Sequence, residues 1–317
     1  MRAALVTHRF VVILVTNKRL SDCTVCVIGL GLMGGSLALA LKTRGAVKAL
    51  YGLDRDPATR AAAVPFLDRV TADIAEAVSE ADLVILAVPV QTILQLLPVI
   101  ASYMRQGALV FDLGSVKSPI VNAMRDLPAG IAAIGGHPMC GKETSGFSAA
   151  DIDLFTGCTF ALCECGRATP DQRVLAETLA QTLGGIPLWI NAKLHDRAVA
   201  AISHLPYLLS MALVAQAADD SERETLLALA SSGFRDTTRL AQSDLTMMGS
   251  VLVANADAIR LALAETHDQA ESLLNAFEKN SAADQARLRS IRAARRAWGE
   301  QFMRRTTKVD KMGDKPQ

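Results

Sequence analysis

Through the first 190 residues, short apolar runs ended by glycine, aspartate or proline alternate with stretches where leucine and alanine recur at helical spacing. Residues 23–28 are mostly apolar or β-branched, Gly29 follows at once, and residues 36–42 continue in helix-forming order; this predicts strand, tight turn and helix. Residues 47–56 predict a second strand ending at Asp54, and a short strand falls near residues 67–70. ADLVILAVPVQ gives a strand ending at Pro89, ALVFDLGSVKSPI one ending near Asp112, and GIAAIGGHPMCG (130–141) a strand followed by a loop. Two more strands, at 158–164 and 186–190, flank a helix over 171–183 whose start is marked by Thr169 and Pro170. Apolar strands separated by helices predict a parallel sheet covered on both faces.

From His195 the texture changes. Residues 194–230 and 244–298 are rich in alanine and leucine and almost free of strand signals, so a helical second half is expected, with its boundary near 184–192. Residues 1–20 carry only a six-residue apolar run, FVVILV, too short for a membrane span and without a signal-peptide cleavage pattern; a peripheral strand or an extension is expected there. At the other end, RLRSIRAARRAWGEQFMRR (287–305) places Leu288, Ile291, Ala294, Trp298 and Phe302 at helical spacing. That predicts an amphipathic helix packed on the body in preference to an RNA or membrane contact, with a frayed tail beyond 305.

Composition narrows the class. With 33 basic and 32 acidic residues the net charge is +1, which gives no electrostatic reason to bind nucleic acid, and no uninterrupted apolar stretch is long enough to suggest a membrane protein. The six cysteines lack metal-ligand spacing. Cys23 and Cys26 belong to opposite faces of a strand, and Cys158, Cys163 and Cys165 lie in an apolar run with no histidine nearby, so no metal site is expected and a reducing cytoplasm fits.

The chemistry begins at Gly29-Leu30-Gly31-Leu32-Met33-Gly34. This G-x-G-x-x-G follows an apolar strand and opens a helix, with Asp54 ending the next strand twenty residues later, where a carboxylate can accept from both ribose hydroxyls. That acid favours NAD over NADP; Arg55 keeps NADP open, because a guanidinium there can bind a 2′-phosphate. Val88-Pro89 and the segment from Asp112 to Ser115 fall at later strand ends, on the edge of the sheet where open α/β folds bind ligands.

His137, expected in the loop after a parallel strand, has the near-neutral pKa that suits a proton acceptor for an alcohol being oxidised; a structural loop histidine is the other reading. Ser115 can hold a hydroxyl, while Lys117 can face substrate, be solvated or pair with an acid. His204 and Tyr207, three apart in SHLPY, share a helical face unless Pro206 shifts it. In GFRDTTRLAQSD (233–244) Arg235 and Arg239 surround Asp236, so one arginine can clamp a carboxylate and the other can form an ion pair.

Taken together, GLGLMGGSLALAL (29–41), Asp54, DLGSVK (112–117), GGHPMCG (135–141), LHDRAVAAISHLPY (194–207) and GFRDTTRLAQSD (233–244) resemble the prephenate/arogenate dehydrogenase family of tyrosine biosynthesis, in the family's order. The resemblance implies an α/β Rossmann-type NAD-binding domain over 21–190 and an all-helical substrate and dimerisation domain over 191–305, flanked by the extension over 1–20 and the tail over 306–317. It makes His137 the catalytic acceptor, with Ser115 supporting the reacting hydroxyl, and Arg239 the holder of a substrate carboxylate, with Arg235 less specific and His195 and His204 lining or bracing the cleft. Oxidative decarboxylation of a cyclohexadienyl substrate by a homodimer is the implied activity.

Tyr207 replaces a histidine common in that family, which leaves prephenate and arogenate both open as substrates; Cys140 replaces an alanine, and Leu245 and Met248 replace proline and tryptophan. The residues after Asp244 read as helix, so no regulatory ACT module is expected. A dehydrogenase for 4-amino-4-deoxyprephenate, a β-hydroxyacid dehydrogenase and a non-catalytic NAD sensor are the alternatives. Against the second, Lys193 lacks the asparagine partner a turn later that such enzymes use.

Overall fold

The computed structural model describes residues 18–313, so the apolar run at 10–15 and residues 314–317 lie outside the described residues. Eight strands form one sheet: β1 (Thr24–Ile28), β2 (Ala49–Leu53), β3 (Arg69–Thr71), β4 (Leu83–Leu86), β5 (Leu109–Asp112), β6 (Ala132–Pro138), β7 (Thr159–Glu164) and β8 (Ile186–Trp189). Their order is β3-β2-β1-β4-β5-β6-β7-β8, in which the first six make the doubly wound arrangement with its switch point at β1 and β4. The register aligns Ile28 with both Leu53 and Leu86, and Leu86 with Asp112. Consequently the segments after β1, β2, β4 and β5 emerge along one edge of the sheet.

Six helices cover the two faces: α1 (Leu32–Thr43), α2 (Pro57–Ala63), α3 (Ile74–Val78), α4 (Val90–Ala101), α5 (Ser118–Arg125) and α6 (Pro170–Thr182). Strand alternation sorts the core. Val25 and Val27 pack with Leu37, Leu41 and Leu179, whereas Cys26 and Ile28 pack with Ile93, Leu97 and Ile120 on the other face. Cys23 and Cys26 divide between those two layers, as their spacing suggests. Each such fully buried aliphatic side chain contributes about 1.5–3 kcal/mol relative to exposure.

The sheet is not wholly parallel as expected. β6 and β7 pair antiparallel, with Gly136 opposite Leu162, and only a 3-10 turn at Phe147–Ala149 lies between them. A parallel return needs a crossover, usually a helix, and α6 supplies one only for the next step, so β7 and β8 run parallel.

The second half is helical. After β8 the chain enters α7 (Ala192–Val199), a π turn over Ala200–His204 and α8 (Leu205–Ala218). Pro206 has no N–H to give the carbonyl four residues back, and the backbone widens at that point. Ala192–Ala218 is long and apolar enough, by length and composition alone, to cross a membrane; it carries His195, Asp196 and His204, all buried against the rest of the chain. Then follow α9 (Arg223–Leu229), α10 (Ser232–Thr238), α11 (Leu245–Ala254), α12 (Ala256–Lys279) and α13 (Ala282–Gly313). Ala200, Leu205, Ile259 and Ala262 form a small core among them.

Two expectations about the end of the chain change. α13 continues to Gly313 where a frayed tail was expected from 306, and beyond Leu288, which is half-buried, its apolar face is not covered by the body: Ile291 and Trp298 are 47% and 55% exposed. The periodicity identified a helix and its apolar stripe correctly, but a single chain offers that stripe no surface.

Candidate active site

The glycine loop turns because Gly29 adopts φ +91°, a region costly for side chains, and because a Cβ there would stand 2.5 Å from Val88. A Cβ on Gly34 would lie 1.8 Å from the Gly29 carbonyl, so only glycine lets α1 start this close to β1. At Gly31, by contrast, a Cβ meets nothing within 4 Å, and the space opens toward the first turn of α1, whose N–H groups lack helical acceptors. Leu32 and Met33 are half-buried there. Asp54 is pinned at the end of β2 by the N–H groups of Leu30 (2.8 Å) and Asp56 (2.9 Å).

This cradle fits a dinucleotide: an open glycine backbone and a helix N-terminus for the pyrophosphate, and a fixed carboxylate for the ribose. Leu30 needs a correction, since its side chain is fully buried and its N–H is taken by Asp54; it shapes the loop from below. Arg55 is exposed, Val88 packs over Gly29, and Pro89 caps the start of α4.

His137 occupies the last turn of the ladder in β6 itself, not the following loop. Its Nδ1 lies 2.9 Å from Nε2 of His195, whose Nδ1 lies 2.8 Å from Oδ1 of Asp196. Asp196 also accepts the N–H groups of Lys117 and Ser118, each at 2.7 Å. Burial alone would raise its pKa, but the bonds from His195, Ser118 and Lys117 outweigh that and hold the carboxyl below its ordinary value. Burial, followed by the nearby His195, Lys117 and His204, pushes His137 well below the ordinary histidine range, which keeps the ring neutral.

Around this row, the Asn255 amide donates to the Asp196 carbonyl (2.8 Å) and meets Nδ1 of His204 (3.1 Å). His204 is depressed to about 4, chiefly by burial. Ser115 is half-buried just beyond β5, on the edge the glycine loop shares.

Several residues assigned to substrate by sequence are spent elsewhere. Lys117 is fully buried; its ammonium pairs with Asp112 and donates to the Gly136 carbonyl (2.6 Å), tying β5 to β6 beneath His137. Burial pushes Asp112 up in pKa, against the pull of Lys117 and the N–H groups of Gly114 and Gly136. His195 has both ring nitrogens engaged and His204 has Nδ1 engaged, so they brace the site. Arg235 is 76% exposed and pairs with its neighbour Asp236. Tyr207 is buried on α8.

Arg239 is 61% exposed and pairs with Glu143 (2.7 Å) in the segment that follows His137. The sequence reading missed Asp196, Asn255 and Glu143. Only Asp196 carried a local signal, standing beside His195 in LHDR; the others reach the site over long sequence separations.

Fold and site together define a doubly wound nucleotide-binding protein with a helical second half and a neutral histidine at the strand ends, the construction of a two-part dehydrogenase. Residues 37–185 match the model of the prephenate dehydrogenase nucleotide-binding domain, and residues 191–290 that of the prephenate dehydrogenase dimerization domain. The prephenate dehydrogenase of Lactococcus lactis is 37% identical over 73% of this chain and 64% of its own length. The cyclohexadienyl dehydrogenase of Zymomonas mobilis is 30% identical over 74% and 82%. Prephenate dehydrogenase from A. aeolicus, solved with hydroxyphenyl propionate and NAD+, superposes with a TM-score of 0.81 at 27% identity, covering 88% of this chain and 99% of that one. The chain belongs to the prephenate dehydrogenase family. It spans about two thirds of the length of the Lactococcus relative.

Proposed function

We propose that this chain oxidatively decarboxylates prephenate, arogenate or both, with NAD as hydride acceptor. The observation that carries the reading is the neutral His137, held at a strand end on the edge that also presents the glycine cradle and Asp54. NAD, when bound, supplies the nicotinamide carbon that receives hydride. Gly31, the first turn of α1 and Asp54 hold it, and an acidic side chain at Asp54 disfavours a 2′-phosphate.

His137 takes the proton of the ring hydroxyl as the carbon bearing it is oxidised. Ser115 holds that hydroxyl in line. The ring ketone so formed drives departure of the ring carboxylate as carbon dioxide, because the remaining ring becomes an aromatic phenol. Arg239 supplies a planar guanidinium, and a substrate carboxylate takes the place that Glu143, six residues after His137, holds on it.

A homodimer through the helical half accompanies this reading. Ile202, Leu229 and Val253 are 68%, 80% and 71% exposed, an apolar surface that a second copy would cover. Replacement of His137 by asparagine tests the catalytic assignment: turnover should fall by about 10²–10⁴-fold while NAD binding persists. Near-normal turnover in that variant would remove His137 from the chemistry.

A further inference from the structure

Neutral imidazole can carry its hydrogen on either nitrogen, and only a bare nitrogen can accept a proton. If His137 is to act as acceptor, something must decide which of its nitrogens is bare. The hydrogen bonds behind it do so by elimination. Asp196 is an ionised carboxylate that already accepts N–H groups from Lys117 and Ser118, so toward His195 it can only accept. Nδ1 of His195 therefore carries a hydrogen, 2.8 Å from Oδ1 of Asp196. With a single hydrogen on that ring, Nε2 is left bare, and that atom faces Nδ1 of His137 at 2.9 Å. Nδ1 of His137 must then be the donor.

We propose that Asp196 and His195 are positioning residues that fix the hydrogen of His137 on Nδ1 and leave its Nε2 bare for the substrate hydroxyl. The proposal rests on the reading of His137 as proton acceptor given above. When the hydroxyl proton moves to Nε2, it becomes an N–H bond of His137; His195 and Asp196 gain and lose no proton. The imidazolium so formed keeps its Nδ1–H directed at His195, with the Asp196 carboxylate at the end of the row balancing the new charge.

Three elements enforce the arrangement. The N-terminal residues of α5 fix Asp196 through backbone N–H groups, the Asn255 amide between α11 and α12 holds the Asp196 carbonyl, and β6 carries His137. The same logic gives His204 the opposite form. Its Nδ1 faces the Asn255 amide, which is a donor, so its hydrogen belongs on Nε2.

The test is a nitrogen-15 correlation spectrum of histidine-labelled, full-length protein at neutral pH without cofactor. It should show Nδ1–H forms at His137 and His195 and the Nε2–H form at His204. An Nε2–H form at His137 would overturn the proposal. In Asp196→Asn, an amide can donate to His195 and permit the reverse chain, so the His137 signal should move toward the Nε2–H form. In the same variant kcat should drop on the order of 10²–10⁴-fold, with KM and NAD affinity little changed. An unaltered His137 signal with unaltered kcat would contradict the role of Asp196, and if this variant does not fold, the wild-type spectrum decides alone. Nδ1–H at His137 in a folded protein inert toward prephenate and arogenate would keep the positioning and refute the substrate reading. Turnover with Nε2–H at His137 would do the reverse.

Discussion

A histidine serves as a base only while it is neutral, and at His137 burial dominates the neighbouring charges in deciding that. Loss of water from the ring, then the proximity of His195, Lys117 and His204, all disfavour the cation, so the folded pKa lies well below 6.5. Of the groups around it, Lys117 from the start of α5, His195 from α7 and His204 from the π turn act on the ring, while the carboxylate of Asp196 is separated from it by His195 and that of Asp112 is paired with Lys117. The sign follows: lowering pH protonates the base and stops turnover, and a depressed pKa moves that loss to more acidic pH. The plateau of kcat/KM should therefore extend below pH 6.5 before falling on the acid side. A pH-rate profile whose acid limb is centred above 6.5 would contradict the environment described for His137.

At the scale of elements, the legible parts of the site were those in which local sequence dictates local geometry. Gly29 and Gly34 announced strand, turn and helix because each answers a constraint set within the loop and its neighbouring strands, whereas Gly31 leaves open space at the start of α1, and Asp54 fell at the end of β2. His137 was recognisable as a candidate, but its place inside β6 was not: GGHP reads as loop, whereas the Lys117 ammonium on the Gly136 carbonyl and the pairing with β7 keep the backbone extended through Pro138. Lys117 illustrates the limit. Its sequence setting left substrate, solvent and acid open, and the choice of Asp112 depends on the burial of the whole β5–α5 junction. The direction of β7 was equally hidden, because strand pattern reports burial and not polarity. Asp196 became meaningful only once α7 was laid against the start of α5, a contact between residues 78 and 79 positions apart.

Across the whole molecule, the centre of the sheet is closed and the helical half is not. Strands β1, β4 and β5 are buried along their whole length, while Ile202, Leu229, Leu245, Val253 and Trp298 stand 55–80% exposed on the helices. Apolar surface of that extent on a chain whose family model is a dimerization domain favours a second copy as the cover. Sedimentation equilibrium should give twice the chain mass; a stable monomer at micromolar concentration would refute the homodimer. The exposed stripe of α13 is where a reading confined to one chain went wrong, since periodicity reports that a face must be covered without saying by what.

The account as a whole stands on the reaction. The most direct measurement is the initial rate of NADH or NADPH appearance when the purified protein meets prephenate, and separately arogenate, with NAD and with NADP. The account predicts turnover on at least one of the two substrates, faster with NAD because a carboxylate at Asp54 would repel a 2′-phosphate. A folded, NAD-binding protein that turns over neither substrate would contradict it.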